Sequence, residues 1–187
     1  MIFKLRKLII FVLSGFFVLY FSFVIYICST ISIANLIEIN IVRPTIVPPF
    51  LSEFIMFEFR CNRNDIIELK ANDGGLNYVI SALSDSGLSN EKKEKYIRFF
   101  ISKGLGVNDV SAFDGFRPLH AAVIVGKADL VQMLLSNGAD PLLRSKSSIG
   151  FKNMTPLEVA ESMKKKNPQR DYSKVIEVLR KAEKTPS

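Results

Sequence analysis

The sequence offers few side chains that could carry out catalysis or bind a metal. His120 is the only histidine in the chain, so a metal site built from several histidines is excluded. Asp114 and Arg117 lie close to it, and an acid, a cation and an imidazole at this spacing could support acid–base chemistry. No GK[ST] phosphate-binding loop and no nucleophile paired with a base accompany them. We therefore expect no catalytic residue, no cofactor and no metal, and keep chemistry at these three residues as an alternative.

These residues belong to a segment whose pattern predicts two short helices. Arg117-Pro118 opens the first helix, because the fixed φ and missing N–H of proline suit a first helical position. Gly126 ends this helix, and Asn137-Gly138 can adopt the left-handed backbone that ends the second. Apolar residues recur between these limits at helical spacing: Leu119, Ala121, Ala122, Val123, Leu130, Val131, Leu134 and Leu135. Residues 115–140 therefore predict one helix-turn-helix unit.

The same residues, GFRPLHAAVIVGKADLVQMLLSNGAD, resemble an ankyrin repeat over nearly their whole length. The residues that carry the motif are Gly115, Pro118, Leu119, His120, Ala121, Gly126 and Gly138, followed in the next unit by Thr155, Pro156 and Leu157. The resemblance implies stacked helix pairs with projecting β-turn loops, and a surface that binds other proteins. It also implies that His120 makes a structural hydrogen bond.

A single helix pair cannot bury its apolar face, so the unit needs neighbours, roughly three or more in all. Downstream, residues 155–160 repeat the opening of the first helix and residues 174–179 repeat the second. The loop around residues 145–152 is about five residues longer than the usual spacing allows. Upstream, residues 96–104 match a second helix and residues 77–83 supply its partner. We expect repeats over about 74–108, 109–144 and 145–184.

Two residues depart from the family pattern. Arg117 stands where the family usually has threonine, and Glu158 stands where it usually has histidine. We expect that the hydrogen bonds linking the opening turns of adjacent repeats cannot all form in the usual way.

A long apolar run precedes the repeats. Residues 8–37 contain no charged side chain, and their number suffices for the roughly 20 residues that cross a bilayer. Lys4, Arg6 and Lys7 precede the run, so the positive-inside rule predicts a cytoplasmic N-terminus and repeats in the periplasm or otherwise outside the cytoplasm. The predicted fold class is all-α, with an N-terminal transmembrane helix followed by a short ankyrin-repeat α-solenoid with β-turn loops. A cleavable signal peptide, cut near Ser32-Ile33-Ala34, is the alternative.

These patterns divide the chain into four parts. Residues 1–37 are the expected single-pass anchor in the inner membrane, and residues 38–51 form a proline-rich tether. Residues 52–73 are expected to cap the stack at its N-terminal end, and residues 74–187 are the ankyrin-repeat domain. Cys61 is the only cysteine after the anchor, so we expect no disulfide within the exported part.

The net charge of +7 does not identify a ligand. The densest basic cluster is Lys164-Lys165-Lys166 with Arg170, in an expected insertion between the last two helices. A solvated loop explains such a cluster, and contact with lipid headgroups or an acidic partner is the alternative.

Two loops contain the candidate protein-binding residues. They are Phe113, Asp114 and Phe116 in one loop, and Ile149, Phe151 and Lys152 in the longer one. An exposed phenylalanine can anchor a partner, although Phe113 and Phe116 could equally pack between repeats.

The function predicted from the sequence is binding without catalysis. The expected partners are a protein of unknown identity and, through residues 8–37, the lipid bilayer; neither nucleic acid nor metal is expected. The chain is predicted to be a membrane-tethered binding module, and an immunity protein that neutralises a toxin is one specific form of this prediction. The alternatives are an adaptor or scaffold subunit and an enzyme accessory protein.

Overall fold

The computed structural model of the protein describes residues 14–26, 30–41 and 63–184, and all regular secondary structure in these ranges is helical. Residues 14–26 form one helical stretch. The later helices are α1 (Ile33–Ile41), α2 (Arg63–Asn72), α3 (Leu76–Asp85), α4 (Asn90–Ser102), α5 (Pro118–Ile124), α6 (Ala128–Ser136), α7 (Pro156–Lys166) and α8 (Ser173–Lys184).

Helices α3 to α8 form a stack of three helix pairs. The first helices of the pairs are neighbours, since α5 packs against both α3 and α7. The second helices form a parallel row in which α6 packs against α4 and α8. This two-layer arrangement is consistent with the α-solenoid expected from the sequence.

The core of the solenoid runs between the two rows of helices. Its fully buried side chains come from every pair and include Leu83, Ile97, Phe100, Leu134 and Leu179. An ion pair also links two repeats, because Lys93 Nζ on α4 lies 3.1 Å from Asp129 Oδ2 in the first turn of α6.

The predicted membrane anchor is wrong. Among the residues that the structure describes, no helix combines the length and the apolar character needed to cross a bilayer. The predicted fold class is thus corrected: the described residues are all-helical, consistent with an ankyrin-like α-solenoid, and include no transmembrane helix. Three predictions that depended on the anchor are withdrawn for the same reason. They are the single-pass inner-membrane location, the bilayer contact through residues 8–37 and the periplasmic placement of the repeats.

The apolar residues at the end of that run are buried by protein. Ser32 precedes α1 and its Oγ accepts a hydrogen bond from the amide of Asn35 at 3.2 Å, as an N-cap residue does. Ile33, Leu36 and Ile37 of α1 have no exposed surface, and α1 packs on α2 and α3. Helix α1 therefore covers the N-terminal end of the stack, where a solenoid needs its apolar surface closed.

The other N-terminal expectations concern residues that are only partly described. Residues 38–41 of the expected tether are the end of α1, whereas residues 42–51 lie outside the described ranges. Of the expected capping segment 52–73, the structure describes residues 63–73, most of which form α2. Cys61 and the basic residues before position 8 also lie outside the described residues.

Candidate protein-binding surface

Residues 111–116, just before α5, form a tight loop that is closed by its own backbone hydrogen bonds. We call this loop the first finger. The backbone amide of Ser111 donates to the Phe116 carbonyl at 2.8 Å, and the Gly115 amide donates back to the Ser111 carbonyl at 3.0 Å. Asp114 Oδ1 accepts from the Phe116 amide at 2.9 Å. These bonds place Phe113 at the tip, where 80% of its surface is exposed.

Residues 145–154, just before α7, form a longer loop of the same kind. We call it the second finger. The Ser145 amide donates to the Met154 carbonyl at 2.9 Å, and the Asn153 amide donates to the Ser145 carbonyl at 3.2 Å. Ile149 lies at the tip with 76% of its surface exposed. The two fingers are joined, because the Lys146 amide donates to the Gly115 carbonyl at 2.9 Å.

A mainly apolar groove runs between these fingers and the first helices of the stack. We call it the loop–helix groove, and its volume is about 370 Å³. The finger tips contribute Phe113 and Ile149. The helices contribute Tyr78 and Ser81 from α3, Ala121 and Ile124 from α5, and Val125 directly after α5. An apolar groove bordered by two exposed apolar tips is the kind of surface that buries a partner side chain.

The sequence-predicted binding residues occupy different environments. Phe113 and Ile149 are exposed at the groove and Asp114 is half-buried in its wall. Phe116 is only 7% exposed, the packed position that the sequence analysis left open. Phe151 is half-buried with the Lys166 ammonium 4.6 Å from its ring centre, and Lys152 is exposed. Among the six, Phe113 and Ile149 present the largest apolar surface.

The floor of the groove was not predicted from the sequence. Ala121, Ile124 and Val125 are apolar residues of the α5 region that lie away from its most buried face, formed by Ala122 and Val123. A helix that is apolar on both sides signals a second contact surface. Tyr78 comes from the preceding repeat and is placed here only by stacking.

The repeat suggested by the sequence is also found by comparison with known protein families. Residues 114–146, which include the end of the first finger, α5 and α6, match the family described as Ankyrin repeat. Residues 114–146 are an ankyrin repeat. Such repeats are typically non-catalytic modules that bind proteins.

Two curated proteins are similar to the chain over a short stretch. Over 51 residues the chain is 41% identical to the 2-5A-dependent ribonuclease of Mus musculus and, over the same length, 39% identical to that of Homo sapiens. This stretch is 27% of the chain but 7% of either ribonuclease. The ribonucleases thus resemble this chain over little more than one ankyrin repeat.

The three residues considered for chemistry support the turn of this ankyrin repeat. His120 has no exposed surface, and its Nε2 lies 3.0 Å from the Met154 carbonyl, so it donates there because a carbonyl only accepts. Arg117 donates to the carbonyls of Asn108 and Arg144. Asp114 accepts from the Phe116 amide, as described above. All three side chains therefore hold backbone of this or the neighbouring repeats.

The two departures from the ankyrin pattern have separate consequences. Arg117 is the N-cap of α5, but its side chain makes no capping hydrogen bond. In the same turn, His120 Nδ1 is buried without a hydrogen-bond partner among the described residues. Glu158 instead completes a capping box with Thr155, accepting from the Thr155 amide at 2.7 Å. That bond is the main cause of the lowered pKa of Glu158. Glu158 also pairs with Arg144 at 3.0 Å.

The buried His120 predicts a loss of stability in mild acid. Burial lowers the pKa of His120 below its ordinary value of 6.5. Between the folded pKa and 6.5, the unfolded chain therefore binds a proton at His120 more readily than the folded chain does. The free energy of unfolding should fall as the pH drops below 6.5 towards the folded pKa. Urea denaturation at successive pH values, followed by circular dichroism, measures this fall.

His120→Gln provides the control for the pH dependence. Glutamine can still donate to the Met154 carbonyl but does not titrate, whereas the carboxylates titrate in both proteins. The variant should therefore lose less stability than the original chain over this pH window. Equal losses in the two proteins would show that His120 does not cause the effect.

Proposed function

We propose that this chain is a non-catalytic binding module that captures a protein partner in the loop–helix groove. The observation that carries the proposal is the exposure of Phe113 and Ile149, at 80% and 76%, on two fingers that border the same groove. Burial of these two large apolar side chains by a partner removes them from water and so favours binding. Their backbones are already fixed by the finger hydrogen bonds, so little conformational freedom is lost on binding.

The floor of the groove supports the same proposal. Ala121, Ile124 and Val125 are half-buried, which leaves part of their apolar surface open to a partner. Asp114 and Ser81 add polar groups at the wall. An apolar centre with a few polar groups around it is typical of the part of an interface that contributes most to affinity.

The test compares partner capture by two double variants. Phe113→Asp/Ile149→Asp places two charges at the groove, and we expect capture to fall by about tenfold or more, since central apolar anchors contribute over about 1 kcal/mol each. Capture is measured by cross-linking and affinity purification from cells of the source organism, with quantitative mass spectrometry of the proteins retained.

The matched control is Ile67→Asp/Leu142→Asp. These residues are exposed apolar side chains as well, but neither lines the groove. The control should retain the partner captured by the original chain, and circular dichroism should show that both variants stay folded. Failure of the original chain to retain any stoichiometric protein, or equal capture by both variants, would refute the proposal.

Inhibition and adaptor function differ in what binding does to the partner. The hypothesis that the chain neutralises a toxin rested partly on a location outside the cytoplasm. That location was inferred from the membrane anchor, which the described helices do not support. An adaptor role requires only the binding surface, so we propose it ahead of the inhibitor role. Loss of a partner's own activity on addition of the purified chain would reverse this order. The similarity spans 7% of either ribonuclease and gives no support for their activity in this chain.

A further inference from the structure

A second groove lies on the last helix pair, away from the fingers. It runs between α7 and α8 and has a volume of about 760 Å³. We call it the end groove. None of its lining residues lines the loop–helix groove, so a ligand here would use a different surface from the one proposed above.

The end groove is strongly basic. Its cationic lining residues are Lys164, Lys165, Arg180, Lys181 and Lys184, and its carboxylates are Glu161 and Glu177. Glu161 Oε1 lies 2.8 Å from Arg180, so these two charges offset each other and four lysines remain against Glu177. Lys164, Lys165 and Lys166 were expected in an insertion, as a solvated loop or as a contact with lipid headgroups or an acidic partner. In the structure they lie in the last turn of α7.

Helix geometry accounts for some of these lysines but not for their arrangement. A cation in the last turn stabilises a helix by interacting with its dipole, and both α7 and α8 have such residues. However, α7 supplies Lys164 and Lys165 to one groove, and α8 supplies Lys181 and Lys184 to the same groove. Helix stabilisation alone does not require the two sets to face a common recess.

The lining distinguishes among the anionic ligands that could fill the groove. Among the residues that the structure describes, no aromatic side chain lines it, so they supply none of the stacking surface that single-stranded nucleic acid uses. It is a recess between two helices, which suits an inserted chain better than a bilayer surface. Ile176, only 8% exposed, lines it together with the cations. This combination suits a peptide that carries carboxylates beside an apolar side chain.

We propose that the end groove binds an acidic segment of a protein, with its carboxylates on the lysines of α7 and α8 and an apolar side chain over Ile176. Opposite charges steer such a segment into the groove, and the interaction weakens as salt screens it. The proposal goes beyond the binding at the loop–helix groove and does not depend on it.

The test uses fluorescence anisotropy with the whole chain and a labelled peptide rich in glutamate, with one leucine in each helical turn. We expect this peptide to bind and its glutamine counterpart not to bind. Lys165→Glu/Lys184→Glu should weaken binding about tenfold or more by replacing attraction with repulsion at both helices. Binding should also weaken as sodium chloride is added.

The matched control is Lys92→Glu/Lys127→Glu, which makes the same change in net charge at exposed lysines outside the end groove. It should bind the acidic peptide within about twofold of the original chain, since distant surface charges are screened. No binding of the acidic peptide, or equal weakening by both double variants, would overturn the proposal. Tighter binding of a single-stranded oligonucleotide or of phosphatidylserine vesicles would also overturn it. Phe113→Asp/Ile149→Asp should leave this binding unchanged, so the two proposed surfaces can fail separately.

Discussion

Replacement of Leu36 by alanine is expected to lower the free energy of unfolding by about 2–5 kcal/mol, the range for removing a buried leucine side chain. Leu36 has no exposed surface and lies on α1, which packs on α3 at the end of the stack. The Tyr78 hydroxyl also donates to the Ala34 carbonyl of α1 at 3.2 Å. A cavity at Leu36 therefore weakens the contact that closes the first repeat.

The loss should be concentrated at one end of the protein. Repeats in a solenoid contact only their neighbours, so an end defect loosens the nearest pair first. Amide hydrogen exchange should show reduced protection in α3 and α4, with a smaller change in α7 and α8. Urea denaturation followed by circular dichroism gives the total change in the free energy of unfolding.

Asn35 provides the control on the same helix. Its side chain is exposed, so Asn35→Ala should change the free energy of unfolding by no more than about 0.5 kcal/mol. If Leu36→Ala were as mild as Asn35→Ala, or if exchange rose equally in all three helix pairs, α1 would not be the cap of the stack.

The error over residues 8–37 has a physical origin. An apolar run shows that its residues avoid water, but its composition does not show whether lipid or protein covers them. A local signal was present, since Ser32 is a residue type that starts helices and it does precede α1. Ser32 entered the prediction only as part of a possible cleavage site, whereas in the structure Ile33, Leu36 and Ile37 lie buried in the same core as the repeats.

The central helix pair could be predicted because its limits are set locally. Pro118 is the first residue of α5, and Gly126 and Gly138 follow α5 and α6 with positive φ, so single residues determine where these helices start and stop. The predicted unit over residues 115–140 is confirmed by the match to the ankyrin family at 114–146.

The candidate surface was harder to predict, because it depends on contacts between distant parts of the chain. Phe113 and Phe116 are three residues apart and chemically alike, yet the finger hydrogen bonds expose one and bury the other. Tyr78 reaches the same groove from the previous repeat. Local sequence patterns identify the fingers, but only the stacking of repeats determines which side chains meet.

Gly115→Ala is the second change expected to have a large effect. Gly115 has a φ of 72°, a conformation that costs a residue with a side chain about 1–2 kcal/mol. A β-carbon there would also lie 2.6 Å from the Ser147 Cα and 2.7 Å from its amide nitrogen. Because both atoms belong to the backbone of the next finger, no side-chain rotation relieves the collision.

The substitution should therefore push the two fingers apart. The bond from the Lys146 amide to the Gly115 carbonyl is the direct link between them, and it should lengthen or break. Adding this loss to the cost of the positive φ, we expect the free energy of unfolding to fall by about 3 kcal/mol. Urea denaturation measures the fall, and reduced exchange protection of the Lys146 amide would locate its cause.

Gly138→Ala separates the collision from the cost of the backbone conformation. Gly138 also has a positive φ, 88°, but a β-carbon there would meet no atom within 4 Å. It should cost only about 1–2 kcal/mol, clearly less than Gly115→Ala, and should leave the Lys146 amide protected. Equal losses for the two substitutions would mean that the positive φ alone matters at Gly115. The close approach of the two finger backbones would then add nothing to the cost of the substitution.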